Sequence, residues 1–177
     1  MAQKLEEMMD EIRYPSSITT DKDFTTSGTV TGVTVAGTTI SGTTISGTNV
    51  VATGYVKSSG TTGVGYATGA GGAVSQLTNR TTGVTLAKVC GVITTSPASL
   101  GAGATATFAV TNSLVSATDV IATAISGGSN GGNTIAYVNN VGAGSFVIAV
   151  SNLNATPGTA ETGAITINYA VIKGVSS

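Results

Sequence analysis

The chain has 177 residues, of which only 8% are charged, and it contains 25 glycines, one cysteine and no histidine. Typical soluble domains have about 25% charged residues, so this chain has a large uncharged surface that self-association would cover. The lack of histidine argues against a Ser-His-Asp triad and most catalytic zinc sites. The few dispersed Lys and Arg residues argue against nucleic-acid binding.

The sequence also predicts no membrane insertion, no cofactor and no metal site. No window offers about 20 consecutive apolar residues, because Thr, Ser, Asn and Gly interrupt every uncharged run. The opening MAQKLEEMMDEIR is acidic, whereas a signal peptide begins with a basic region and an apolar core. No run has the spacing of calcium ligands. We therefore expect synthesis and assembly in a cytoplasm.

Residues 1–23 are interpreted as an anchoring segment that begins with a short helix over 1–13. Four apolar residues recur at helical spacing and form one stripe: Leu5, Met8, Met9 and Ile12. Pro15 ends the helix, because the residue before a proline avoids the helical region. A helix this short is marginal alone in water, so the stripe must pack on its own fold, on symmetry mates or on a foreign surface.

Residues 24–56 form a low-complexity segment with a five-residue period. Apolar residues recur at every fifth position: Val30, Val35, Ile40, Ile45 and Val50. A strand alternates its faces with period two, so one apolar column at period five requires a bend in each repeat, which glycine tolerates. Five repeats are too few for a single-chain solenoid. We therefore predict an intertwined β stalk whose column faces an axis shared between chains, with a flexible Gly/Thr linker as the alternative.

Residues 57–80 are predicted to be a Gly-rich junction, and residues 81–177 an antiparallel, jelly-roll-like β-sandwich. The fold class is therefore all-β after the N-terminal helix. Turn-forming residues separate the strand candidates, which are Gly83–Thr95, Ala104–Asn112, Asp119–Ser126, Thr134–Val141, Ser145–Asn152 and Ala164–Lys173. Apolar residues alternate along three of them and define buried faces: Ala106, Phe108 and Val110; Phe146, Ile148 and Val150; Ile165, Ile167, Tyr169 and Val171.

Few residues of this β domain carry chemistry, and we expect no catalytic site. Asp119 and Glu161 are its two carboxylates, and we expect both at solvated strand ends or turns rather than paired as in a glycosidase. Cys90 has no histidine to activate it, so we expect a buried small hydrophobic residue rather than a nucleophile. The remaining charges are scattered single ones: Arg80, Lys88 and Lys173.

Three stretches carry a resemblance to a known family: GYATGAGGAVSQ at 65–76, TNSLVSATDV at 111–120 and INYAVIK at 167–173. Over about residues 65–174 the chain resembles head fibre and related fibre or decoration proteins of tailed bacteriophages. Such proteins are elongated trimers, anchored to the virion by the N-terminus and ending in a β-structured domain. The resemblance implies a homotrimer on the capsid surface, anchored to a capsid protein. It carries no catalytic residues.

Several alternatives follow from the same residues. The closest is a tail fibre or tail-tip receptor-binding protein, whose anchor would bind a tail protein instead of the capsid. In either case the β domain would adhere to cell-surface or environmental glycans, or only decorate the particle. A depolymerase that uses Asp119 and Glu161 is a third reading. Ice binding by the threonines of the stalk is a fourth, and the small number of repeats argues against it.

Overall fold

The structure of the chain is a computed structural model that describes residues 54, 56–58, 63–128 and 132–175. The predicted helix and its stripe, and the apolar column from Val30 to Val50, lie outside the described residues. Eight strands and no helix occur in the described ranges. The strands are β1 (Gly71–Ser75), β2 (Val84–Thr85), β3 (Cys90–Thr94), β4 (Thr105–Thr111), β5 (Val120–Gly127), β6 (Thr134–Gly142), β7 (Ser145–Asn152) and β8 (Thr166–Ile172).

The strands form two four-stranded sheets that pack as a sandwich. Sheet I has the order β1-β3-β8-β5, and sheet II has the order β2-β4-β7-β6. From β1 to β6 the chain changes sheet at every connection, and only β6 and β7 are joined as a hairpin. This arrangement confirms the all-β sandwich that the sequence predicts.

The two sheets are mixed rather than antiparallel. The pairs β3–β8, β5–β8, β4–β7 and β6–β7 are antiparallel, as predicted. The edge pairs β1–β3 and β2–β4 are parallel, because the chain crosses to the other sheet and back before it pairs again. The prediction of a purely antiparallel sandwich is therefore wrong for these two edge pairs.

The predicted strand Gly83–Thr95 is in fact two strands in different sheets. The backbone N–H of Lys88 donates to the carbonyl of Leu86 at 2.9 Å, which closes a three-residue turn and interrupts the extended chain. β2 ends before this turn, and β3 begins after it. The apolar residues of β2 and β3 pack into the same core although the two strands belong to different sheets. The alternation of apolar residues therefore does not show where the chain crosses from one sheet to the other.

β1 was not predicted, because its sequence GGAVS has low β propensity. A Cβ added at Gly72 would lie 2.9 Å from a methyl group of Leu86, so the β1 backbone approaches the core closely. The strand lies inside the segment predicted as a Gly-rich junction.

The core lies between the sheets and is built from the predicted alternating residues. All three predicted faces are confirmed, with Val110, Ile148, Val150, Ile165 and Ile167 fully buried. The ring centroids of Phe146 in sheet II and Tyr169 in sheet I lie 5.2 Å apart at an interplanar angle of 56°. Such tilted aromatic pairs stabilise beyond the area they bury, so this contact ties the sheets together.

The sandwich has two distinct ends. At the first, called the proximal end, the chain enters β1 and leaves β8, and the hydroxyl of Tyr66 donates to the carbonyl of Val171. The 112–119 loop and the β6–β7 turn also lie here, because the N–H of Gly144 donates to the carbonyl of Val115 at 2.9 Å. The opposite, distal end carries the loops 95–104 and 153–165 and the start of 76–83, and β5 ends and β6 begins there.

Candidate functional site

In the described ranges, charged side chains lie outside the strands of the sandwich. None of the eight strands contains Asp, Glu, Lys or Arg. The charged residues of the described ranges are Lys57, Arg80, Lys88, Asp119, Glu161 and Lys173. The prediction that they are scattered single charges with solvated carboxylates is wrong in two respects, since Arg80, Asp119 and Glu161 are all buried and two ordered polar clusters involve them.

The distal cluster is centred on Arg80, whose side chain holds three distal segments together. Its Nε donates to the carbonyl of Ala98 at 2.5 Å, Nη1 to Oγ1 of Thr95 at 3.1 Å and Nη2 to the carbonyl of Gly163 at 2.6 Å. Burial lowers the pKa of the guanidinium, and the charge of Glu161 opposes that shift. This arrangement satisfies the buried charge and fixes the distal loops.

Glu161 is fully buried in the same cluster. Oγ1 of Thr134 donates to its Oε2, and its backbone pairs with Leu100 in both directions at 2.9 Å. Nearby, Nδ2 of Asn152 donates to the carbonyls of Leu100 and Thr159 at 3.0 and 2.9 Å. The carboxylate therefore lies in the packed interior of the distal end and not at its surface.

Asp119 belongs to a second, proximal cluster that clamps the end of β8. Its Oδ2 accepts from Nζ of Lys173 at 2.6 Å and from the N–H of Ser116 at 2.8 Å, and its Oδ1 accepts from the N–H of Gly174 at 3.1 Å. Lys173 holds the pKa of this carboxyl below its ordinary value, and the N–H groups of Ser116 and Gly174 act in the same direction. The arrangement is that of a structural clamp.

The two carboxylates are not brought together within one chain. Asp119 lies beyond the last residue of β8, and Glu161 lies before its first residue. At about 3.3 Å per residue, the length of β8 separates them by about 20 Å. The carboxyl groups of a glycosidase lie about 5–9.5 Å apart, so one chain does not assemble such a pair from them.

A third polar cluster closes the core at the proximal end. The hydroxyl of Tyr169 donates toward the carbonyls of Leu86 and Lys88, at 3.2 and 3.0 Å, and Nδ2 of Asn112 donates to the carbonyl of Lys88 at 2.7 Å. Burial raises the pKa of Tyr169 to about 12, with the charge of Cys90 acting in the same direction. These contacts stabilise the 86–89 crossing between the sheets.

Cys90 is only partly buried and lies on the outer face of sheet I. Its inward-facing neighbours in the sheet are Gly91 and Ile93, so the thiol belongs to the opposite face. The expectation that Cys90 is buried in the core is therefore wrong, because alternate residues of β3 face inward and Cys90 is not one of them. Nowhere in the described ranges do three or more Cys, Asp or Glu side chains gather into a group that could hold a metal ion.

The outer faces of both sheets remain as candidate functional surfaces. On sheet I, Val120 and Ile172 are cross-strand partners, and they are 59% and 58% exposed. On sheet II, Ile135 and Tyr137 are 42% and 41% exposed, and β4 contributes Thr105, Thr107 and Thr111. Contiguous exposed apolar surface marks an interaction site on a soluble protein. The sequence contains a signal for these surfaces, because the alternation identifies the outward-facing residues and all of them are uncharged.

The anchoring and axial residues that the sequence predicts lie outside the described residues. The three polar clusters therefore neither test nor replace those predictions. No helix of the described ranges has the length and apolar character to span a membrane. Comparison of the chain with protein-family models, with curated proteins and with solved structures finds no match in any of the three.

Proposed function

We propose that the chain is a structural protein of a tailed-bacteriophage virion: a homotrimeric head fibre or capsid decoration protein. Residues 1–23 anchor it to a capsid protein, residues 24–56 form the shared stalk, and the β-sandwich projects from the particle. The resemblance over residues 65–174 supports the family, and it covers the described sandwich almost completely.

One observation carries the structural role, namely the absence of charge from all eight strands. Edge strands of soluble proteins are protected by charged residues, prolines or bulges, because an unprotected edge pairs with other chains. Here β5 and β6 each contain a register shift, but no strand uses charge or proline. Surfaces of this composition suit burial against other subunits in an assembly.

The difference between the two ends of the sandwich supports an adhesive role for its distal loops. β1 begins and β8 ends at the proximal end, and the 95–104 and 153–165 loops lie at the opposite end. Arg80 and Glu161 order these loops from within, while their exposed residues are rich in hydroxyl and amide side chains. Loops carried on a rigid scaffold are where binding residues concentrate, and such side chains suit glycan hydroxyl groups.

Gold-labelled antibodies against the chain, imaged on purified virions by electron microscopy, test this function. We expect label on the capsid surface. Label confined to the tail would support the tail-fibre alternative, and virions without label would refute a structural role. A binding assay on an array of bacterial glycans tests the adhesive role separately.

The anchor is tested by substitutions in the predicted helix. We expect Leu5→Ser with Ile12→Ser to abolish incorporation into virions, because both residues lie on the apolar stripe. Glu6→Ser with Glu11→Ser changes the acidic face of the same helix and serves as the matched control. Equal incorporation of both double variants would contradict the assignment of the anchor.

A further inference from the structure

The outer face of sheet I changes from apolar to polar along its length. Toward the proximal end it presents Val120, Ile172, Ala122 and Ala170, and toward the distal end Thr94 and Thr166. Small side chains predominate, and no charged residue interrupts the face. Flat faces of small side chains allow a second sheet to approach closely.

The centre of this face is a cross-strand pair formed by Val92 and Asn168. β3 and β8, which carry them, are the two central strands of the sheet, and β1 and β5 are its edges. A residue near a symmetry axis meets its own copies, so a charge there would face like charges. Asn168 avoids this conflict because its amide both donates and accepts, and its Oδ1 already accepts from Oγ of Ser126 at 3.2 Å.

The dimensions of sheet I fit a threefold arrangement. Four strands spaced about 4.8 Å apart give a sheet about 19 Å wide. Three such sheets, arranged as the sides of a triangular prism, each lie about 5.5 Å from the axis. Sheets that pack face to face are about 10 Å apart, which places each about 5 Å from the plane between them. The prism is therefore filled by side chains of the size that this face presents.

We propose that the outer face of sheet I packs against the same face of two further copies of this chain around a threefold axis. Val92 and Asn168 lie nearest to the axis, and the edge strand β1 of one copy lies beside β5 of the next. The proposal rests on the homotrimer of the proposed function, and it assigns the surface that forms it. Such head-to-tail contacts between unlike edges close into a ring under threefold symmetry.

Sheet II is less suited to this role because its central strand is already covered. On β7 the outward-facing Ala149 is fully buried and Ser151 is 7% exposed. Oγ of Ser151 also lies 2.7 Å from Oγ1 of Thr105, so part of this face satisfies its polar groups internally. Sheet I retains its exposed apolar pair, Val120 and Ile172, at the proximal end.

The available area sets how strongly the sandwiches associate. A face about 19 Å wide and about 20 Å long covers about 400 Å², roughly half of the 800 Å² that each partner buries in a standard interface. The sheet I contact therefore adds to the association of the full chain, and experiments require the stalk to be present.

Cross-linking of single cysteines in the full-length chain tests the proposal. In a Cys90→Ser background, Asn168→Cys places a thiol at the centre of sheet I. Thr107→Cys is the matched control at an exposed outward position of sheet II. With a short bismaleimide, we expect Asn168→Cys to yield covalent dimers that include up to roughly two thirds of the chains, because each trimer holds three thiols. Thr107→Cys is expected to remain at the background of the Cys90→Ser chain.

The mass of each variant in solution separates the two proposals. Trimer mass with cross-linking at Asn168→Cys alone supports both. Trimer mass with cross-linking at Thr107→Cys, at both positions or at neither overturns the assignment of sheet I and leaves the trimer standing. A monomer mass for the Cys90→Ser chain overturns both proposals.

A charge substitution provides a second test that does not depend on cross-linking. Ala122→Arg places a charge on the edge strand β5, beside β1 of the next copy in the proposed trimer, whereas Ala109→Arg adds the same residue to the exposed face of β4. We expect only Ala122→Arg to lower the temperature at which the trimer dissociates, with the far-UV circular dichroism of both variants unchanged. Equal dissociation temperatures for the two variants would overturn the proposal.

Discussion

Replacing Arg80 by alanine should be one of the most damaging single changes in the sandwich. The side chain donates three hydrogen bonds, two of them to backbone carbonyls of the segments around Ala98 and Gly163. Arg80 is 3% exposed, so water does not replace these donors without rearrangement of the loops. The change also leaves Glu161 buried without the positive charge that lies near it.

The magnitude follows from these contacts. A hydrogen bond from a charged donor contributes about 1.5–3 kcal/mol, and Arg80 donates three of them. These contributions overlap, because the loops relax once the guanidinium is gone. We therefore expect Arg80→Ala to lower the free energy of unfolding by about 3–5 kcal/mol, less than the sum of three separate bonds. Arg80→Lys should recover part of this loss, because an ammonium group supplies the charge but not the planar arrangement of N–H donors of a guanidinium group.

Urea unfolding, followed by far-UV circular dichroism at equal chain concentration, measures the effect. Lys88→Ala is the matched control, because it also removes a cation that donates to a backbone carbonyl, that of Gly69 at 3.2 Å, but at an exposed position. Its expected cost is under about 1 kcal/mol. If Arg80→Ala costs no more than Lys88→Ala, the buried distal cluster does not exist as described.

Three further predictions concern other parts of the sandwich. Lys173 lowers the pKa of Asp119, so the clamp stabilises above the ordinary Asp pKa of about 3.9 and weakens as pH falls below it. The difference in unfolding free energy between wild type and Asp119→Asn should therefore shrink from pH 6 to pH 3, and a constant difference would refute the clamp. Gly128→Ala should destabilise more than Gly132→Ala in thermal unfolding. Both glycines have φ +83°, but only at Gly128 would a Cβ lie 2.1 Å from a backbone carbonyl oxygen. Because the folded pKa of Tyr169 is raised to about 12, its stabilising effect is complete below the ordinary Tyr pKa of about 10 and is lost as pH rises toward 12. Tyr169→Phe should remove a tyrosine ionisation near pH 12 from an ultraviolet titration, and an unchanged titration would contradict the buried hydroxyl.

The sequence predicted the strands whose alternation is complete. Phe108, Ile148 and Ile167 each occupy the buried parity of a long strand, so their spacing alone placed them in the core. β1 is rich in glycine, and the crossing at 86–89 lies inside a continuous apolar run, so neither produced a local signal. The parallel pairs depend on which strands meet in space, and local periodicity does not contain that information.

The buried charges could not be located from the sequence for a similar reason. Arg80 bonds to residues 18 and 83 positions away, and Asp119 to one 54 positions away. Their burial depends on contacts between distant loops, whereas sequence reasoning treats an isolated charge in a turn as solvated. The uncharged outer faces were accessible from the sequence, since the alternation that identifies inward residues also identifies the outward ones.

The mass of the full-length chain in solution tests the homotrimer most directly. Sedimentation equilibrium at micromolar concentration should give three times the 17.2-kDa mass of one chain. The value should persist in high salt, because neither the predicted stalk column nor the outer face of sheet I contains a charge. A stable 17.2-kDa monomer under these conditions would contradict the shared stalk, the sheet I interface and the trimeric fibre together.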